Sequence, residues 1–316
     1  MPIDRPAASL PLAGGGEDAS ASRSRLMRLA TWASMAVAGV LISAKLLAWL
    51  ASGSVAMLSS LVDSSLDLLA SGIAWFAVRQ ALTPADREHR FGHGKAEALA
   101  AFAQAGFILA SALGLILAAG DRLMQPQAVE HEDAALAVTG LAIVLTMALV
   151  LFQRHVVRRT GSMAVGADSL HYAGDLASNL TVAATLVLAM KFDAPWLDAA
   201  GAILIALYLL LGVRTLLKRS LYVLMDHELP EGERERIKAI VRGLPAVRDL
   251  HDLRTRSSGM TRFIQLHVEL DPGTSLAEAH RRGDEIEAAI HADFPEAEII
   301  LHLDPHGVME ARQHFT

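Results

Sequence analysis

Two pairs of ionisable residues interrupt stretches that are otherwise apolar: Asp63 with Asp67, and His171 with Asp175. Each pair is spaced i, i+4, so on a helix both side chains project from one face about one turn apart. Three carboxylates and an imidazole make a four-coordinate shell suited to Zn²⁺ or another borderline divalent metal, whereas Mg²⁺ and Ca²⁺ favour all-oxygen shells. The flanking stretches, Val55 to Ala77 and Met163 to Met190, exceed the roughly 20 residues needed to cross a bilayer. A lone intramembrane Asp can simply hydrogen-bond a neighbouring helix. Four such groups in two identically spaced pairs are different, because each costs about 2.5 kcal/mol or more unless it faces a partner, a cavity or an ion. They predict one shared cation site.

Two further clusters have ligand chemistry. The stretch Asp86 to Lys95 reads D-R-E-H-R-F-G-H-G-K, and Asp86, His89 and His93 converge on one metal if the loop is compact, with Gly92 and Gly94 easing sharp turns. The competing reading is a polar, basic loop that only anchors topology. Nearer the C-terminus, His251, His267, His302 and Asp304, with His280 on a helix, form the richest imidazole set in the chain. Strand alternation supports His302 with Asp304, the phase of His251 is ambiguous, and the competing reading is a polar sheet face with solvated histidines.

The elements that must position these groups follow from composition. The 316 residues are 53% hydrophobic, with a mean hydropathy of +0.35, too apolar for an average soluble protein. Six apolar stretches, near 28 to 51, 55 to 79, 98 to 119, 134 to 153, 163 to 190 and 195 to 217, predict an α-helical membrane protein with six transmembrane helices over 26 to 219. The two polar pairs then lie in the middle helix of each three-span half, as in an inverted repeat. Basic residues sort to one side: Arg23, Arg25 and Arg28; Arg79, Arg87, Arg90 and Lys95; Arg154, Arg158 and Arg159; Arg214, Lys218 and Arg219. The opposite loops carry little more than Arg122 and Lys191, so both termini are expected to be cytoplasmic. Lys45, inside the first span, either snorkels or pairs with an acid.

Residues 1 to 25, rich in Ala, Ser, Gly and Pro, read as a disordered tail without the apolar core of a signal peptide. From 220 to 305 the pattern is helix, strand, strand, helix, strand: an α+β, ferredoxin-like (αββαβ) cytoplasmic domain, with a short tail from 306 to 316. Within it Ile264, Leu266, Val268 and Leu270 oppose His267, while Leu301 and Leu303 oppose His302 and Asp304. Helices should cover the aliphatic face and leave the histidines on the other.

Absences exclude several chemistries. With no Cys there is neither a disulfide nor a thiolate site, and a net charge of -6 argues against nucleic acid. The His-Glu pairs at His131 and His227 lack the second His of a zinc protease. Gly94-Lys95 is followed by Ala96 and is no Walker A loop, and no G-x-S-x-G elbow occurs, so an enzyme or ATP-driven pump is not expected.

Together the D-x-x-x-D of Asp63 and Asp67, H-Y-A-G-D at His171 to Asp175, H-R-F-G-H-G-K at His89 to Lys95 and H-D-L-R-T-R at His251 to Arg256 resemble the bacterial cation diffusion facilitators. The likeness runs from about Arg25 to Asp304 and is closest to their ferrous-iron and zinc efflux branch. It implies a homodimeric metal/proton antiporter of the bacterial inner membrane, in contact with lipid, that carries Zn²⁺, with Fe²⁺ or Cd²⁺ as further substrates, and needs no organic cofactor. It implies a transport site of Asp63, Asp67, His171 and Asp175, and a loop site of Asp86, His89 and His93. It also implies a binuclear cytoplasmic site drawing on His251, His267, His280, His302 and Asp304, and a dimer-interface charge pair of Lys95 and Asp226. Leu303 stands where a close relative has an amide side chain. A membrane-anchored metal sensor and a passive metal channel remain the alternatives.

Overall fold

In hydrocarbon a backbone must satisfy its own hydrogen bonds, so apolar runs of bilayer length become helices. The computed structural model describes residues 15–53, 55–124, 133–189 and 196–308. Six long helices come first: α1 (Gly15–Ser52), α2 (Val55–Ala81), α3 (Lys95–Met124), α4 (Asp133–Thr160), α5 (Met163–Ala189) and α6 (Trp196–Leu224). A small domain follows: α7 (Glu231–Arg242), β1 (Asp249–Ser258), β2 (Thr261–Leu270), α8 (Leu276–Asp293) and β3 (Ala297–Pro305). Among the described residues, five of the long helices are long and apolar enough to cross a membrane, all but α5. At 27 residues α5 matches the others in length, and it carries the polar residues Asp168, His171, Asp175 and Asn179.

Two expected boundaries move. Helix α1 begins at Gly15, so residues 15 to 25 are helical rather than tail. Arg23 ties this extension to the small domain through Glu296, at 2.5 Å. Helix α6 runs on to Leu224, past the expected boundary at 219, because Val223 and Leu224 pack against Ala98, Ala101 and Met163. Residues 1 to 14, Lys191 and the tail from 309 lie outside the described residues.

Helices α3 and α6 pair closely through small residues, with Ala105, Ala112 and Ala206 fully buried between larger aliphatic side chains. Helices α1, α2, α4 and α5 group around Met27, Ala30, Ala77, Val78, Val156 and Ala164. Gly174 lets α6 approach α5, since a Cβ there would sit 2.9 Å from a methyl of Leu209. Leu47, Leu117, Leu204 and Leu211 face outward, as expected of a surface solvated by lipid.

The sheet of the small domain has the order β1-β2-β3, with β1 antiparallel and β3 parallel to the central β2. Alternation follows the sequence pattern: Ile264, Leu266, Val268 and Leu270 are buried against Ile237 and Val241 of α7 and Ile286 and Ile290 of α8. The phase of His251 is fixed by a bulge between His251 and Arg254, where Asp252 takes a left-handed backbone with φ 47°.

The loop after α2 docks this domain to the helices. Gly94 lies directly on the β1–β2 hairpin, where a Cβ would meet the Ser258 carbonyl oxygen at 2.3 Å. Beside it the Arg256 guanidinium lies 4.1 Å from the Phe263 ring centroid and 5.0 Å from that of Phe91. Asp226, just past α6, receives Lys95 at 2.8 Å and Arg256 at 3.4 Å. The obstructing atom at Gly94 is backbone, so no rotamer change can relieve a substitution. Gly94→Ala is therefore expected to open this joint, destabilising the chain by about 2 kcal/mol; hydrogen exchange should rise several-fold at the hairpin, and unchanged exchange there would refute the docking role.

Candidate metal centre

The first polar groups meet where α2 packs on α5. His171 Nε2 lies 2.9 Å from Asp67 Oδ1 and 3.5 Å from Asp175 Oδ2, and the three donor atoms are all within 4.8 Å of one another. Four ligands at about 2.0 Å around a tetrahedral Zn²⁺ are separated by roughly 3.3 Å, so the spacing suits such an ion. The other oxygen contact matters more: Asp175 Oδ2 is buried and makes no hydrogen bond. Asp63, one turn earlier on α2, is exposed and stands outside this grouping. Lys45 turns inward: it donates to Ser64 Oγ at 2.6 Å and to the Ser60 carbonyl at 3.2 Å, holding α1 to the turn of α2 that bears the aspartates, with no ion pair to an acid among the described residues.

Sequence reasoning missed Asp168. Its carboxylate, one turn before His171 on α5, is 1% exposed and accepts from three helices: Ser34 of α1 at 2.5 Å, Ser71 of α2 at 3.1 Å and Gln153 of α4 at 2.7 Å. Ser71 also meets the Tyr172 hydroxyl at 2.9 Å. The available signal was a second acid in α5 beside Asp175, matched by polar residues within the apolar spans of α1, α2 and α4. A buried carboxylate with three donors fixes the rotation of α5 and hence the direction of His171 and Asp175.

The loop cluster also forms. Asp86 lies 3.4 Å from His89 Nδ1 through one oxygen and 3.3 Å from His93 Nε2 through the other. Backbone N–H groups of His89 and Glu88 donate to Asp86 Oδ1 at 2.6 and 2.9 Å. The His89 bond holds the Asp86 carboxyl below the usual carboxylate range. The group thus stays ionised as pH falls through that range, ready as a ligand.

In the small domain register builds the third cluster. His251 pairs with His267 across β1 and β2, and His267 with His302 across β2 and β3, so three imidazoles form one row. Two residues further along on the same face, Glu269 pairs with Asp304. Asp304 is 6% exposed and serves both sides: Oδ2 lies 2.7 Å from His267 Nδ1 and 3.9 Å from His251 Nε2, while Oδ1 lies 2.9 Å from His302 Nε2. Asp252 sits at the rim, and the Arg254 fork holds its carboxyl below the usual range. His280 is exposed on α8 and stands outside this grouping.

Two family models together span most of the chain. Residues 31–225 match the model of the cation efflux transmembrane domain, and residues 229–306 that of the cation efflux protein cytoplasmic domain, a dimer domain. The cation-efflux pump FieF of Shewanella oneidensis is 49% identical over 88% of this chain and 94% of its own length. The FieF of Pectobacterium atrosepticum is 44% identical over 92% of this chain and 96% of its own. The solved metal-bound C-terminal domain of the CzcD transporter from Thermotoga maritima is 26% identical, covering 25% of this chain and 93% of that domain with a TM-score of 0.24. The chain belongs to the cation efflux, or cation diffusion facilitator, family of membrane transporters.

Proposed function

We propose that this chain exports a divalent metal ion from the cytoplasm in exchange for protons, with Zn²⁺ as the principal substrate and Cd²⁺ and Fe²⁺ as further ones. The observation that carries this reading is the buried Asp175 Oδ2 without a hydrogen bond, beside Asp67 and His171 at membrane depth. A buried carboxylate oxygen with no hydrogen bond, only the His171 ring 3.5 Å away, is costly unless a cation or proton engages it. Asp67, His171 and Asp175 supply three ligands, and Asp63, one turn away on α2, supplies the fourth from the exposed side. One nitrogen with oxygen donors favours a borderline metal over Mg²⁺. Metal and protons compete for the same lone pairs, so loading the site with one releases the other. Exposure of the site to the two sides of the membrane in turn then couples outward metal flow to an inward proton gradient.

The cytoplasmic cluster supports a regulatory role. Asp304, with one oxygen toward His251 and His267 and the other toward His302, suits two ions bridged by one carboxylate. His280, exposed on α8, is placed for a site shared with a second copy, in keeping with the dimer domain matched at 229–306. We place both termini in the cytoplasm of a bacterium, with the chain in the inner membrane. The Lys95–Asp226 pair sits at the joint between the two domains, where a dimer would feel any change in their spacing.

Proteoliposomes loaded with a pH dye test the transport reading. Wild type should move Zn²⁺ with opposite proton flow, and Asp175→Ala should fall to background; metal flux without proton flow would indicate a channel, and no flux a sensor. Asp168→Ala, which removes the shared acceptor of three buried donors, should lower stability by on the order of 3 kcal/mol in a detergent unfolding titration and slow Zn²⁺ flux with it, while Asp168→Asn loses less. Replacing His267 and His302 with Ala should leave the transport site intact but flatten the dependence of flux on cytoplasmic Zn²⁺; an unchanged dependence would remove the regulatory role.

A further inference from the structure

We propose that the groove between α1 and α2, at the end nearest the small domain, holds the phosphate of an anionic phospholipid. The groove encloses about 500 Å³ and is lined by Arg28, Trp32, Trp75, Arg79 and Leu82, with no acidic residue among its lining. The two indoles meet edge to face, their centroids 5.6 Å apart, and form one wall. One turn on, Arg79 packs its guanidinium 5.5 Å from the Trp75 centroid, which orients it over the groove. Arg28 stands across from it on α1. Neither guanidinium has an ion-pair partner among the described residues. Two uncompensated positive charges flanking the groove call for an anion.

The surroundings decide which anion. Trp32 is 59% exposed, and tryptophans of this kind sit at the headgroup level of a bilayer. Leu82 and the two indoles line the groove itself, giving an acyl chain an apolar wall that free phosphate would not use. The end of α1 that bears Arg28 is the one tied to the small domain by Arg23 and Glu296, so the groove opens on the leaflet nearest that domain. Anionic lipid in that leaflet attracts basic side chains at the membrane surface. The groove also abuts the loop cluster, because Thr83 on its rim lies 3.3 Å through its carbonyl from His93 Nδ1.

The test uses full-length protein in nanodiscs of phosphatidylcholine with a minority of phosphatidylglycerol, released into the mass spectrometer with its bound lipid. Wild type should retain phosphatidylglycerol, and the double variant Arg28→Gln with Arg79→Gln should retain about tenfold less or lower, from the loss of two surface cations. Arg158→Gln with Arg159→Gln, which removes the same charge from α4, should retain it as wild type does. Thermal melting of all three in detergent separates lost binding from lost folding, and Trp32→Leu, which keeps both arginines, should weaken retention to a lesser degree. Equal retention in wild type and the Arg28/Arg79 variant, equal loss in the α4 variant, or displacement of the lipid by millimolar inorganic phosphate would each overturn the proposal. The readout is bound lipid, so it stands or falls apart from metal transport.

Discussion

The membrane half of this protein depends on one contact, the approach of His171 to Asp67 between α5 and α2. Ionisable groups in hydrocarbon are tolerated only when they face one another or an ion, so the two helices must pack with these faces inward. Other features serve that juxtaposition. Asp168 draws serines and a glutamine from three helices to set the rotation of α5, and Lys45 bonds α1 to the turn of α2 before Asp67. Gly174 brings α6 against the same segment of α5. The cost of placing polar groups on α5 is offset by partners rather than by lipid.

The small domain solves a different problem by register. A histidine in the central strand can have imidazole neighbours on both sides only if the flanking strands are in phase, and β1 reaches that phase through the bulge at Asp252. Aliphatic residues on the other face lock the sheet under α7 and α8, so the histidine row cannot slip without exposing the core. Ligand placement and core formation are therefore one constraint here.

Much of this was legible in the residues. The i, i+4 pairs named the helices that must meet, and period-2 alternation named the strand face that carries His267 and Asp304. What was not legible was mostly relational. Asp168 reads as one more polar residue until Ser34, Ser71 and Gln153 are seen around it, because its partners lie on three other helices. The bulge at Asp252 is a backbone choice by a residue other than glycine, which no pattern of hydrophobicity encodes. Asp63 shares its helix face with Asp67 by spacing, yet spacing says nothing about which neighbour covers each turn, and here Asp63 is left exposed. The extension of α1 likewise meets the distant Glu296 through Arg23, a partner that no local pattern names.

The meeting of Gly94 with Gly259, whose φ of +61° turns the hairpin tip, brings main chain against main chain. Such a bearing has no side chains to change rotamer, so it cannot cushion movement. A shift of the Asp86–His93 segment would reach the hairpin undiminished, as a lever transmits through a hard fulcrum. Insertions or deletions on either side would therefore disturb the linkage far more than most exchanges of exposed side chains nearby.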